Sequence, residues 1–333
     1  MTLPVAAFAL ETLRVRTWPG YADPDLVKIF EQRTGSKVEV SLIDSDDVLW
    51  QRISQNQAGD FDVFAVNTAE LQRYISADLV TPIDTTSLPN LARQLPRFRD
   101  LTAIRGITRG DKYFAIPYTY AEMGLIYDRA QFKEPPDSVA VLWDPRFRGK
   151  VLAYNGGTHN FSLAALSLGH KTPFQIDSKT WPAAAQRLID LRRNVLGFYT
   201  RPEESVHLFR KHSAALLFAN YGSQQLQLLK SAGVDVGYVI PKEGALAWLD
   251  CWVITRGVHN IKLAQAWIDF LLEAAPSQAL VSRQGLANTT SPSPFHNAND
   301  RLIWLEPVEN VDRRDVLWQR IMSGDRVRKV LAP

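Results

Sequence analysis

Along the opening part of the chain the apolar positions switch between a period of two and a period of three to four. Leu13-Arg14-Val15-Arg16-Thr17-Trp18 alternates as a half-buried strand does, and Pro19-Gly20-Tyr21 breaks it. Asp23-Pro24 then opens a helix, because Asp caps well and Pro fits a first turn; Leu26, Ile29 and Phe30 form its apolar face and Gly35 ends it. Residues 37–42 read as a second strand. A helix from Asp46 turns Val48, Leu49 and Ile53 inward, residues 61–66 form a short buried strand, and a helix runs through Leu71 and Tyr74. Strand, helix, strand, helix, strand in this order predicts a parallel, doubly wound sheet. Ligands on such sheets lie at the carboxyl ends of strands, where this chain places Trp18 and Asn67.

Residues 112–128 read as extended with one proline, Pro117, and residues 141–150 as a loop with a short helix. A second α/β unit follows. It has strands at 150–154, 214–220 and 234–240, and helices at 160–168, 181–191, 205–210 and 224–231. Residues 245–254 are again extended and 262–272 form a strongly amphipathic helix. Residues 284–294 read as a loop, and short helices near Leu302 and at 316–322 close the chain.

Composition narrows the class. With 333 residues the chain exceeds one ordinary core, so two lobes are expected. With 46% hydrophobic and 22% charged residues it reads as a globular protein. A net charge of +3 without a basic stripe argues against a nucleic-acid partner. The lone Cys251 cannot form an intramolecular disulfide, and no apolar run reaches the ~18 residues of a spanning helix. Leu3-Pro4-Val5-Ala6-Ala7-Phe8-Ala9 is similar to the end of a secretory leader whose charged start is missing. The sequence contains no G-x-S-x-G, H-E-x-x-H, P-loop or G-x-G-x-x-G motif and no histidines at metal-ligand spacing. An enzyme is therefore disfavoured, and no cofactor or metal is expected.

Two stretches carry candidate binding chemistry. In the extended run 245–254, Trp248 and Asp250 are two apart and project to the same side, an aromatic wall beside a carboxylate. That pair suits a cationic amine. Asn155-Gly156-Gly157-Thr158 stands at the start of the helix expected at 160–168. Free N–H groups, glycines that allow close approach, and donors on Thr158 and His159 suit an anionic or strongly polar group there.

These stretches, taken in order, resemble a known family. The matching segments are Trp18 after the first strand; Phe61-Asp62-Val63-Phe64; Ile116-Pro117-Tyr118; Trp143-Asp144-Pro145-Arg146-Phe147-Arg148-Gly149-Lys150-Val151; Pro241-Lys242-Glu243-Gly244 with Trp248-Leu249-Asp250; and 264–272 followed by Gln284-Gly285. They resemble the periplasmic solute-binding proteins of ABC importers, in the spermidine/putrescine-binding branch. The resemblance implies a type II periplasmic binding protein fold, two doubly wound α/β lobes joined by two extended crossovers near 118–122 and 249–252. It implies lobes of 10–118 with 252–294 and of 119–251 with 295–333, closing on a ligand in the cleft. It also implies a protein that works in the periplasm with ABC permease subunits and binds a small polyamine-like amine; the two α/β units and two crossovers suggest a monomer, and the loop Asn155-Gly156-Gly157-Thr158 set against Asp250 suggests a zwitterionic amine, with one cationic and one anionic or strongly polar end.

By the same resemblance Trp18, Trp248 and Asp250 sandwich and anchor the amine and Asn67 bonds it; Tyr21 and Tyr118 are added as supporting walls. The pattern departs where acids are usual. This chain has Asn155-Gly156-Gly157-Thr158-His159 in one such place and Asn220-Tyr221-Gly222-Ser223 in another, so Tyr221 and Ser223 join Gly156, Gly157, Thr158 and His159 as candidates. A ferric-iron binder of the same bilobal class is the alternative, with Tyr118, Tyr120, Tyr154 and Tyr221 as phenolate candidates.

Overall fold

The computed structural model describes residues 11–332 apart from 44, 296 and 298. The leader-like stretch 3–9 lies outside them. The chain divides into two compact units: residues up to 119 with 249–283 and 288–292, and residues 120–248 with 284–287 and from 293 onward. The first two divisions fall inside the strands Ala115–Glu122 and Ala245–Thr255. On the second strand Trp248 belongs to one unit and Asp250 to the other, whereas the sequence places that division after 251.

The first unit grows from the expected alternation. Strand Thr12–Thr17 buries Leu13, Val15 and Thr17 and pairs in parallel with Lys37–Leu42 and with Val63–Asn67. The latter pairs antiparallel with the strand Ala245–Thr255, setting Asp250 opposite Asn67. Helix Pro24–Thr34 buries Leu26 and Phe30 and ends at Gly35, whose φ of 66° needs no Cβ; its N–H donates to Glu31 O. Phe30 meets Trp267 of helix Ile261–Leu271 edge to face, ring centroids 5.1 Å apart. At the other end of the sheet Asp62 is buried and accepts from the Arg14 guanidinium and from the His259 N–H.

The second unit is a five-stranded mixed sheet in the order Val195–Tyr199, Val151–Tyr154, Leu216–Phe218, Leu125–Asp128, Val236–Val239. The first three strands are mutually parallel, while Leu125–Asp128 runs antiparallel to both its neighbours. Met123-Gly124 separates it from Ala115–Glu122, and Gly124 is required there because a Cβ would lie 2.7 Å from the Tyr238 ring.

Four elements differ from expectation. Val195–Tyr199 is a strand that follows the helix Trp181–Asn194 without a loop, so no turn signal marks it. A helix spans Ala274–Gln284 ahead of the expected loop. Leu302–Trp304 is a strand and not a helix, because its backbone pairs in parallel with Ala245–Ala247. The helix expected at 160 starts at Gly157.

Candidate functional site

In the first unit the carboxyl end of the opening strand turns through Trp18-Pro19-Gly20, with Gly20 at φ 84°, and the Tyr21 N–H donates to Trp18 O at 3.3 Å. This turn aims Tyr21 inward. Its hydroxyl donates to Asp250 Oδ2 at 2.7 Å, and both residues are buried, Asp250 at 7% exposure. Tyr118 packs edge to face on Tyr21 with centroids 5.5 Å apart, and its hydroxyl donates to Tyr21 O at 3.4 Å. Trp252 backs Tyr118 in turn, at 5.6 Å. Trp18 is half-buried, and its indole Nε1 is buried without a hydrogen-bond partner among the described residues.

Burial pushes the Asp250 carboxyl up to about 7, with the Tyr21 hydrogen bond opposing the rise. Tyr21 is itself held well above the usual phenol range by burial and by the Asp250 charge. Among the described residues the pair is thus a buried carboxylate with one neutral donor. A cation is the partner that would stabilise its ionised form.

Asn67 stands beside Asp250 in the sheet, yet its side chain caps helix Thr68–Ser76. Its Oδ1 accepts from the Glu70 N–H at 3.0 Å and its Nδ2 donates to Asp46 Oδ1 at 3.4 Å. The cap therefore holds the amide that was expected to bond an amine.

In the second unit Trp248 is tied to the loop before helix Ser223–Ser231. Its Nε1 donates to Asn220 O at 3.3 Å, and Asn220 Oδ1 lies 2.8 Å from His159 Nδ1. Burial holds the His159 pKa below its usual value. The Asn220 bond opposes this, and the Arg314 charge reinforces it. Tyr154 packs beside the His159 ring at 5.8 Å and edge-on to Tyr221 at 6.0 Å. The Tyr221 hydroxyl donates to Thr200 O at 2.6 Å. Ser223 Oγ is buried without a hydrogen-bond partner among the described residues. Gly222, at φ +56°, lets this loop lie against the crossing strand; a Cβ would meet Glu122 O at 2.6 Å.

The glycine pair needs correction. A Cβ on Gly157 would lie 2.8 Å from Arg314 O, 2.8 Å from Asp315 Oδ1 and 3.0 Å from Trp318 Cβ, all on helix Val311–Met322. Gly156 is covered by the Tyr154 ring, and Asn155 Oδ1 accepts from Trp318 Nε1 at 2.9 Å. Thr158 O accepts from Arg314, which is buried and ion-paired with Glu309 at 2.8 Å. The helix start expected to receive an anion is thus packed against the protein's own carboxylate. Gly157 permits this close helix packing.

Two residues escaped the sequence reading. Asn220, which joins His159 to Trp248, looks like an ordinary turn residue. Glu122 is fully buried on the crossing strand, where its charge adds to burial in raising the Tyr238 hydroxyl. An acid inside an apolar extended run was the available signal. The ferric-iron alternative finds little support. Burial raises the Tyr118 and Tyr221 phenols above their usual range, away from the phenolate form, and no group of three His, Cys, Asp or Glu that could hold a metal occurs among the described residues.

The buried Asp250 carboxylate and the α/β build of each unit can now be set beside known families. The family described as bacterial extracellular solute-binding protein matches residues 25–295. The chain belongs to that family. Among relatives, the spermidine/putrescine-binding periplasmic protein 1 of Haemophilus influenzae is 25% identical over 84% of this chain and 75% of its own length. The putrescine-binding periplasmic protein PotF of Escherichia coli is 28% identical over 82% and 76%. The fold matches that of the spermidine/putrescine ABC transporter substrate-binding protein PotD from Streptococcus pneumoniae, with a TM-score of 0.76, 21% identity and coverage of 96% and 99%. The type II architecture expected of this solute-binding protein is therefore present. No helix among the described residues is long and apolar enough to cross a membrane.

Proposed function

We propose that this solute-binding protein captures a small amine in the periplasm, as a monomer, and delivers it to the permease subunits of an ABC importer. The observation that carries the reading is Asp250, a buried carboxylate whose hydrogen-bond donor is the neutral Tyr21 phenol. An ammonium would supply the missing charge, with the Trp248 and Trp18 indoles as cation-attracting walls. The polyamine-binding relatives support the same ligand class. Thermal-shift screening against mono- and diamines, amino acids and neutral polyols tests it, followed by calorimetry on the hits. Amines should stabilise the protein. Asp250→Asn should weaken them by roughly 2–5 kcal/mol, and Trp248→Ala by on the order of 2 kcal/mol. If no amine shifts the transition, or if Asp250→Asn binds as wild type does, the reading fails.

A further inference from the structure

The loop Asn155-Gly156-Gly157-Thr158 in the second unit holds the one Asn-Gly step in the chain. Such a step can react with itself. The backbone nitrogen of the glycine attacks the amide carbon of the asparagine before it, and glycine offers no Cβ to obstruct the approach. Asn155 is exposed, and its Oδ1 accepts from Trp318 Nε1 at 2.9 Å. That bond draws electron density from Cγ and supports the charge that develops on the oxygen during attack. Asn155 Nδ2, the leaving group, has no hydrogen-bond partner among the described residues, and neither has the Gly156 N–H, the nucleophile. Position 156 admits only glycine, because a Cβ would lie 2.5 Å from the Tyr154 ring. Other asparagines of this unit are closed by contrast. Asn160 is buried, its Nδ2 donates to Tyr154 O at 2.6 Å, and the bulky Phe161 follows it. Asn220 is buried, and the N–H after it, on Tyr221, donates to Gln225 Oε1 at 3.0 Å.

We propose that Asn155 is a site of spontaneous deamidation in the folded protein, and that its isoaspartate product loosens the contact between helices Gly157–Ser167 and Val311–Met322. The Gly156 nitrogen loses its proton to water and bonds to Asn155 Cγ. The Cγ–Nδ2 bond breaks and ammonia leaves, which closes a five-membered succinimide. Water then adds to either imide carbonyl and breaks its C–N bond. One opening gives aspartate, whose carboxylate can still accept from Trp318 Nε1. The other gives isoaspartate, in which the main chain runs through Cβ and Cγ and is one carbon longer. A new carboxylate is tolerable at the positive end of helix Gly157–Ser167, with Asp315 beside Gly157 opposing it. The extra backbone carbon is not. Gly157 follows at once, packed so closely that a Cβ would lie 2.8 Å from Arg314 O, and the lengthened chain has no slack to take up there.

The test is peptide mapping by mass spectrometry of the full chain held folded at pH 8, against a zero-time sample. Trypsin releases 151–171 as one fragment, which carries Asn155 together with the buried Asn160 as its internal control. Conversion at Asn155 should run about tenfold or more faster than at Asn160 and appear as two separable products, with isoaspartate in excess. It should be absent in Asn155→Gln, whose longer side chain would have to close a six-membered ring. Ion exchange of the aged protein then yields fractions for thermal unfolding. The aspartate fraction should melt with Asn155→Asp, which carries the same charge on an ordinary backbone, and the isoaspartate fraction a few degrees lower. Asn155 intact in the folded chain while the urea-unfolded chain converts it, or conversion no faster than at Asn160, overturns the proposal. An isoaspartate fraction that melts with Asn155→Asp overturns its second half. The wild-type rate is read without any variant, so a substitution that fails to fold leaves the first half fully tested.

Discussion

Asp250 costs the unliganded protein stability, and the sign of that cost can be worked out. Its folded pKa of about 7 lies above the ordinary carboxylate value near 3.9. Between those two values the folded state holds a proton that the unfolded chain has released, so this group's contribution falls as pH rises through the window and is flat above it. Asp250→Asn keeps an acceptor for the Tyr21 hydroxyl and removes the charge. Urea unfolding should therefore find the variant more stable than wild type at pH 8 and little different near pH 4, while amine binding is lost. A variant less stable at pH 8 would show that the carboxylate is already compensated. Tyr21→Phe acts in the other direction. It removes the donor that opposes the effect of burial, so Asp250 should ionise at still higher pH. Calorimetry should show amine affinity reduced at pH 7 and partly recovered at pH 9; affinity independent of pH in this variant would separate Tyr21 from the binding group.

At the scale of elements, what was legible depended on how far apart the partners lie in the chain. The strands and helices of the first unit repeat a local period, and residues 37–42 and 245–254 were read to within a residue. Trp248 and Asp250 were legible as neighbours because two positions along a strand fix one face. Tyr21 and Asp250 lie 229 positions apart, so sequence alone could make them candidates but could not show the bond. The strand at Leu302–Trp304 exists through its pairing with Ala245–Ala247, which no local pattern announces. Gly157 reads as part of a turn for the same reason, since what makes a glycine necessary there is a helix far down the chain. Gly157→Ala should accordingly cost about 1–3 kcal/mol of stability by forcing back Arg314 O and the Trp318 side chain. Amine affinity measured on the same sample should stay within about twofold. A large loss of affinity without loss of stability would return the glycine loop to the binding site.

Across the whole molecule three acidic groups, Asp62, Glu309 and Asp250, act in two opposite ways. Burial alone would raise Asp62 and Glu309, but Arg14 with the His259 N–H, and Arg314 with the Ile176 N–H, outweigh it and hold both below the usual carboxylate range. One stands in each unit. Each contributes stability that is present above its unfolded pKa and lost as pH falls through its lowered folded value. Asp250 takes stability away as pH rises toward about 7. The unliganded protein should then show a stability maximum between the carboxylate range and neutrality, with an acid limb set by Asp62 and Glu309 and a neutral limb set by Asp250. A bound amine pairs the Asp250 charge and stabilises by mass action, about 2.7 kcal/mol at a hundredfold excess over the dissociation constant. Its affinity needs the ionised carboxylate, so the gain should be larger at pH 8 than at pH 5.5. Denaturation midpoints measured from pH 3 to pH 9, with and without a saturating diamine, read both limbs in one experiment. The diamine should lift the neutral limb more than the acid limb, and Asp250→Asn should flatten the neutral limb and abolish the lift. A curve without a neutral limb, or one that the diamine raises equally at every pH, would mean that Asp250 is neither the destabilised group nor the anchor.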